Sequence, residues 1–348
     1  MSAHANNIPV VISGVGQLSA LGQGKAALLA GLAGIQKPQI NIRKVKTSKG
    51  EMDIPIYQAP EVVLPSDVPE SVSRRMSRIS KMYFATVLEA VEDAFGSKHC
   101  FARLDPTRIG IVVGTALGCL ESANRYQRRV ILEGPTGASP SIFASSIQNA
   151  IASHLSISFG IQGPTSTVTT MEQTTIGAFR LAYDWIRQGI VDQVIVTVGD
   201  EMSDYQPYAM AHLGLAAPER LNPRSDACTS VVGEAMASFF VSREDLTPAP
   251  KKYCEISDVQ LFPRECPAAD RYLASAYGAK GQWSRYSKWI QSGDASREPL
   301  CHAELYGSSF TGSAVEVAIG ALLISQDHRS TVCVQMTDRD EVQTITLR

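Results

Sequence analysis

No segment of this 348-residue chain carries eighteen consecutive apolar residues, so no membrane-spanning helix is expected. Met1–Asn7 is short and polar and enters a strand near Ile8. With no basic-then-apolar leader read there, a cytoplasmic protein is expected. The seven cysteines (Cys100, Cys119, Cys228, Cys254, Cys266, Cys301 and Cys333) include no C-x-x-C pair. Such scatter points to free thiols in a reducing compartment and to no metal cluster. Charge of either sign is not in excess: 32 basic residues face 34 acidic ones, for a net charge of −2. That argues against nucleic acid or a membrane surface as a general partner, while leaving room for a local basic patch that receives an acidic protein. No short-period repeat is visible either.

What is present describes an ordinary globular chain, 44% hydrophobic and 19% charged. Its length suits one extended domain or two halves sharing a core. Strands are predicted over 8–14, 108–115, 165–170, 193–198, 231–241, 254–260 and 331–336, the last being read as the final strand. Helices are predicted over 22–32, 71–95, from about 116 through Val130, and over 145–159, 173–188, 268–277 and 314–325. Residues 34–70 read as short strands and loops. In the helix over 71–95, Met76, Ile79, Tyr83, Phe84, Val87, Leu88 and Val91 recur at helical spacing behind Arg74 and Arg75. Strands apolar on both faces that alternate with helices imply α/β layering.

Gly14-Val15-Gly16 reads as a tight strand exit. It is a poor dinucleotide fingerprint, because the third glycine and a later strand-ending acid are missing.

Several segments, taken in order, carry more. Val11–Gly16, Arg74-Arg75-Met76-Ser77-Arg78, Arg108–Gly114 and Phe143–Asn149 are followed by Gly163-Pro164 through Thr174 and by Gly189–Asp192. Val198-Gly199-Asp200-Glu201 and Val232-Gly233-Glu234 complete the series. This order resembles the β-ketoacyl synthases of the thiolase superfamily, with the last two segments similar to that family's Gly-Gly-Ala-Glu and Val-Gly-Glu. The resemblance implies a five-layer α-β-α-β-α sandwich, normally an intimate dimer. It also implies a ketosynthase-like half over 1–250 and a shortened C-terminal half over 251–348.

The departures bear on activity. In an active relative a cysteine stands at the start of a buried helix, where partial positive charge favours its thiolate. Here Glu172 takes that place, with Gln173 adjacent. A carboxylate does not support selective thioester exchange, since its acyl anhydride is short-lived. If buried, Glu172 needs helix-end amides or an arginine, or it keeps its proton. The family's His-Gly-Thr motif is absent, its second histidine motif is reduced to Gly307–Gly312 with Ser313 beyond, and its Phe-Gly-Gly-Thr-Asn loop has no counterpart. His302 is read as a partly exposed loop histidine in preference to a catalytic remnant, and His154 as structural or interfacial. Ala227-Cys228-Thr229-Ser230 copies the family's nucleophile signature in a different slot, so Cys228 is read as a loop thiol.

These losses resemble the chain-length factor, or ketosynthase-β subunit, of type II polyketide and aryl-polyene systems. The resemblance implies a subunit with no catalytic residue of its own, paired as a heterodimer with a cysteine-bearing ketosynthase. The partner then holds the acyl chain, and an acyl carrier protein delivers 4'-phosphopantetheine-borne units, mainly through that partner. Channel or gate positions carried over are Leu117, Cys119, Ile142 and Phe143, with Tyr126 added from its helix face. Two alternatives stand beside this reading: a divergent acyltransferase or decarboxylase using Glu172, Cys228 or His302, and a purely structural stabiliser of a ketosynthase.

Overall fold

The computed structural model describes residues 8–48, 50–66, 68, 70–74, 76–97, 104–213, 221–246 and 252–348. Arg75, Cys100 and the boundary expected at 250/251 lie outside them. The chain opens with β1 (Val10–Ser19), the two-residue β2 (Gly22–Gln23), α1 (Lys25–Leu32) and a hairpin of β3 (Ile40–Thr47) and β4 (Gly50–Tyr57). α2 (Glu70–Ser73), α3 (Arg78–Phe95), β5 (Ile109–Gly114), α4 (Leu120–Glu133) and α5 (Pro140–Ala144) follow. Next come α6 (Ala150–Phe159), β6 (Thr165–Val168), α7 (Thr174–Arg187), β7 (Gln193–Asp200), α8 (Tyr205–His212) and β8 (Ala235–Arg243). The later part holds β9 (Cys254–Leu261), β10 (Arg271–Ala274), α9 (Gln282–Ile290), β11 (Pro299–Leu300), α10 (Ser313–Asp327), β12 (Thr331–Met336) and β13 (Val342–Leu347).

The main sheet runs β11-β10-β12-β13-β9-β1-β8-β7-β5-β6, with β2 on β1. Outward from the β9–β1 junction, the orders β9-β13-β12-β10-β11 and β1-β8-β7-β5-β6 match in sense: two antiparallel pairings, then two parallel ones. The later chain therefore repeats the strand order of the earlier chain in full, a repeat that no sequence period announces. Among the described residues, Val10–Ile12 against Cys254–Ile256 join the two half-sheets. α7 packs on β5 and β7 of one half and on β9 of the other, while α10 packs on β12 and also on β8. Both helices thus fill the middle layer. α10 suits that place because it is buried nearly all round, from Ser313 to Leu322. α3 covers β1 and β8 from outside, and α9 covers the second half, with Tyr286 Oη accepting from the Met336 amide at 2.8 Å. This is the thiolase-like five-layer arrangement.

Several expectations need correction. Gly14 and Gly16 lie inside β1, not at its exit: a Cβ at Gly14 would stand 2.0 Å from Ala90 O, and one at Gly16 2.1 Å from Thr86 O. Their role is to admit α3 against the strand. The helix expected over 71–95 begins at Arg78, after Ser77 caps it, and ends at Gly96 in the left-handed region. The helix expected over 268–277 is instead strand β10, drawn in by parallel pairing to β12 and β11. Met336 does not end the last strand either, because β13 returns antiparallel along β12 through the turn at Thr337–Glu341. Neither α8 nor α9 was expected. Among the described residues no helix is long and apolar enough to cross a membrane.

Candidate functional site

The Glu172 position is built from β6, which runs into a one-turn 3-10 segment, Met171–Gln173, that leads directly into α7. Thr174 Oγ1 accepts from the Thr170 amide at 3.0 Å and pins this turn, while Met171 adopts a left-handed φ of 51°. A non-glycine residue there marks a turn held by its surroundings. Glu172 is half-buried. Neither helix-end amides nor an arginine supplies the partner found for it: Tyr277 Oη stands 3.4 Å from Glu172 Oε1 and 3.4 Å from Asp338 Oδ1. Burial, and then the two carboxylates, push the Tyr277 phenol above its ordinary range, so it stays a neutral donor. Gln173 Nε2 donates to Glu341 Oε2 at 2.9 Å. Arg285 Nη1 donates to Asp338 O and Asp340 Oδ1, both at 3.1 Å, and holds this acidic β12–β13 turn over the start of α7. The group facing Glu172 is thus a tyrosine, a neutral donor and not a base.

Beside Tyr277 lies a cavity of about 580 Å³. Leu117 and Leu120, Tyr205 and Met210 of α8, and Cys228, Tyr277 and Phe310 are among the residues that line it. Phe310 packs edge-on to Tyr277, with ring centroids 6.0 Å apart. Asp200, at the end of β7, reaches the wall with its carboxylate buried; burial pushes its pKa up to about 6, against hydrogen bonds from Leu117, Thr115, Thr311 and Ala116. Glu201 follows it and is also buried. One turn away, Glu234 is fully buried and accepts two bonds from Arg78.

Of the residues singled out from sequence, Leu117 and Cys228 line the cavity. Cys119 is buried beneath it, its Sγ donating to Ile147 O at 3.5 Å, and burial first, then Glu201, pushes the thiol up to about 12. Tyr126 and Phe143 pack on one another at 5.4 Å on the outer surface, where Phe143 is 52% exposed, and Ile142 is half-buried beside it. His154 Nδ1 lies 3.2 Å from Ser80 Oγ. His302 is a partly exposed loop residue, its side chain 17% exposed, but it is anchored: Nδ1 lies 2.9 Å and its amide 2.7 Å from the Glu316 carboxylate, which also accepts from Tyr306 at 3.0 Å. Ser313 Oγ donates to Gln335 Oε1 at 2.8 Å, inside the core. Sequence reasoning missed Tyr277, Asp338 and Asp200. Only Asp200 had a visible signal, two acids closing an otherwise apolar strand. Among the described residues no group of His, Cys, Asp and Glu is arranged to hold a metal ion.

A family profile described as "Beta-ketoacyl synthase, N-terminal domain" matches residues 9–245. A 3-oxoacyl-[acyl-carrier-protein] synthase 2 from Vibrio cholerae serotype O1 is 28% identical over 225 residues, covering 62% of this chain and 50% of the relative. The protein of the same name from Staphylococcus aureus strain MRSA252 is 26% identical over 235 residues, covering 65% and 53%. The chain spans about half the length of the curated relatives it matches. Among solved structures, the ishigamide ketosynthase/chain length factor superposes with a TM-score of 0.79 at 18% identity, covering 98% of each chain. A ketosynthase (ApeO) in complex with its chain length factor (ApeC) from Xenorhabdus doucetiae gives 0.78 at 19%, covering 100% and 99%. At these identities the likeness speaks for the fold.

Proposed function

The chain belongs to the β-ketoacyl synthase family through its N-terminal domain, and from that premise we propose that it is a chain-length factor, a subunit without condensing activity of its own. The observation that carries the reading is Glu172 at the nucleophile position, hydrogen-bonded to Tyr277 where an active enzyme needs a thiolate and histidines. In this proposal the acyl chain is bound to a cysteine-bearing ketosynthase partner, and a carrier protein brings 4'-phosphopantetheine-borne units to that partner. The pathway is of the type II polyketide or aryl-polyene kind. The organisation into halves over 1–250 and 251–348 belongs to the same proposal, supported by the repeated strand order.

Two surfaces support a partner. β6 is the end strand of the sheet, paired on one side to β5. An end strand of this kind invites pairing with another chain. α4 and α5 bury no residue, and Ile131, Leu132, Phe143 and Ile147 on or beside them are exposed.

The test is co-expression with a ketosynthase encoded beside this protein, then native mass spectrometry after malonyl and acyl loading. A 1:1 heterodimer with acyl mass on the partner alone is expected. An acyl adduct on this chain, for which Cys228 at the cavity wall is the one cysteine not buried among the described residues, or an active homodimer would overturn the reading.

The proposed gate has a test of its own. One methylene pressed against a packed wall costs about 1–3 kcal/mol, so Leu117→Ala is expected to lengthen the product of the complex by one or two extension units and Leu117→Phe to shorten it. Mass spectrometry of released products reads this directly. An unchanged length with both variants would favour the structural-stabiliser alternative.

A further inference from the structure

Asp200 is 3% exposed, stands at the cavity wall, and bonds to segments that carry other parts of that wall. Its Oδ1 accepts from Thr115 Oγ1 at 2.7 Å and from the amides of Ala116 at 3.0 Å and Leu117 at 2.9 Å. Thr115 Oγ1 accepts in turn from the Gly118 amide at 2.9 Å. The turn between β5 and α4 is therefore wound about one carboxylate, and it presents Leu117 and Leu120 to the cavity. Asp200 Oδ2 accepts from Thr311 Oγ1 at 2.9 Å, on the segment of the other half that leads into α10. Thr311 follows Phe310, and its hydroxyl is 3.1 Å from Ser309 Oγ; Phe310 and Ser309 also line the cavity.

Bonds to an ionised acceptor are the strong ones, and a buried amide that loses its acceptor has no water to replace it. The Gly-Gly-Ala-Glu pattern that this strand end resembles has alanine at the place of Asp200, and an alanine accepts none of these four bonds. The carboxylate is therefore a feature of this chain and needs a reason of its own.

We infer that Asp200 is a positioning residue for length selection, fixing Leu117 and the Ser309–Phe310 segment relative to one another at the cavity wall so that their placement sets the acyl length accommodated. The inference rests on the chain-length reading above. Asp200 acts through the residues it holds, by joining the β5–α4 turn to the segment that leads into α10.

The test uses the heterodimer with the partner ketosynthase and malonyl-loaded carrier protein. It compares Asp200→Ala, Asp200→Asn, Thr311→Val and Leu117→Ala by product mass and by amide exchange at Ala116–Gly118. Asp200→Ala is expected to give longer and more mixed products, and to speed exchange at those amides about tenfold or more. Asparagine restores both, because its Oδ1 accepts the same three donors and its Nδ2 donates to Thr311 Oγ1. Thr311→Val keeps the turn protected yet broadens the products, which a carboxylate serving only to stabilise the turn does not predict. If Leu117→Ala lengthens the product while neither Asp200→Ala nor Thr311→Val alters it, the inference is wrong and the chain-length reading stands. If Leu117→Ala also leaves the products unchanged, the chain-length reading fails and takes the inference with it. Should the Asp200→Ala chain not assemble, wild-type products from Thr311→Val are enough to reject the inference.

Discussion

Replacing Arg78 by alanine is expected to cost about 3–5 kcal/mol, read as a lowered denaturant midpoint. Arg78 is the first residue of α3, and both its Nη atoms bond to the carboxylate of Glu234, with Nη2 to Oε2 at 2.9 Å. Glu234 has no exposure at all and otherwise accepts from the amides of Ala59 at 3.1 Å and Met202 at 2.8 Å. Removing the guanidinium leaves a buried carboxylate with two amides and no cation, and that desolvation is what makes half of a buried pair expensive to lose. Although its own burial opposes the charge, Glu234 and then Glu61 hold the Arg78 pKa above its ordinary value, so the guanidinium stays charged. Lysine at 78 is expected to recover only part of the loss, because it cannot make the two-pronged contact. The double variant Arg78→Ala/Glu234→Gln should be more stable than Arg78→Ala alone, since the orphaned charge is gone. If Arg78→Ala is as stable as the wild-type protein, the bidentate pair is not holding α3 to the start of β8.

The second large effect concerns pH. Glu201 is 3% exposed, and its Oε1 has no hydrogen-bond partner among the described residues. Burial, with repulsion from Glu234 and Glu121 and against attraction from Arg78, pushes its pKa up from 4.5 to about 8. The folded protein therefore keeps a proton that the unfolded chain releases above pH 4.5. Stability from this group is fully present below that pH and is lost as pH rises toward 8. At 1.36 kcal/mol per pKa unit the total is on the order of 5 kcal/mol. Glutamine matches the protonated acid in shape and carries no titrating proton. Glu201→Gln is thus expected to equal the wild-type protein near pH 5 and to exceed it by a growing margin toward pH 8. Asp200, raised in the same direction, contributes equally to both proteins, so the difference between their unfolding curves isolates Glu201. Parallel curves from pH 5 to pH 8 would show that Glu201 is already ionised in the native state.

The parts of the fold that were legible share a physical signature. β5 and β7 are short, largely apolar runs, and α3 and α7 keep helical spacing over about four turns or more. The parts that were missed are set by partners far along the chain. β10 has four residues and β11 only two, too few for any period to show, and their strand character comes from parallel pairing within the second half-sheet. Gly14 and Gly16 look like turn residues in sequence and are instead packing residues, because the helix that approaches them lies some seventy positions away. The partner of the partly exposed loop residue His302 was not legible, since nothing local reveals Glu316 buried in the middle-layer helix.

The sequence by itself determined that residue 172 is a carboxylate and not a thiol, since what a side chain can do as a nucleophile follows from its type. It determined the layered α/β class for a similar reason, because two-sided apolar strands and amphipathic helices have few ways to bury their surfaces. Only the tertiary structure decided what surrounds that position. Tyr277 lies 105 residues from Glu172 and Asp338 a further 61 beyond Tyr277, and they meet only because the second half-sheet folds over α7. The same closure brings Thr311 onto Asp200, 111 residues away, and makes the cavity a property of both halves. Contacts of such separation leave no local pattern, because they depend on how the layers pack and on nothing that neighbouring residues encode.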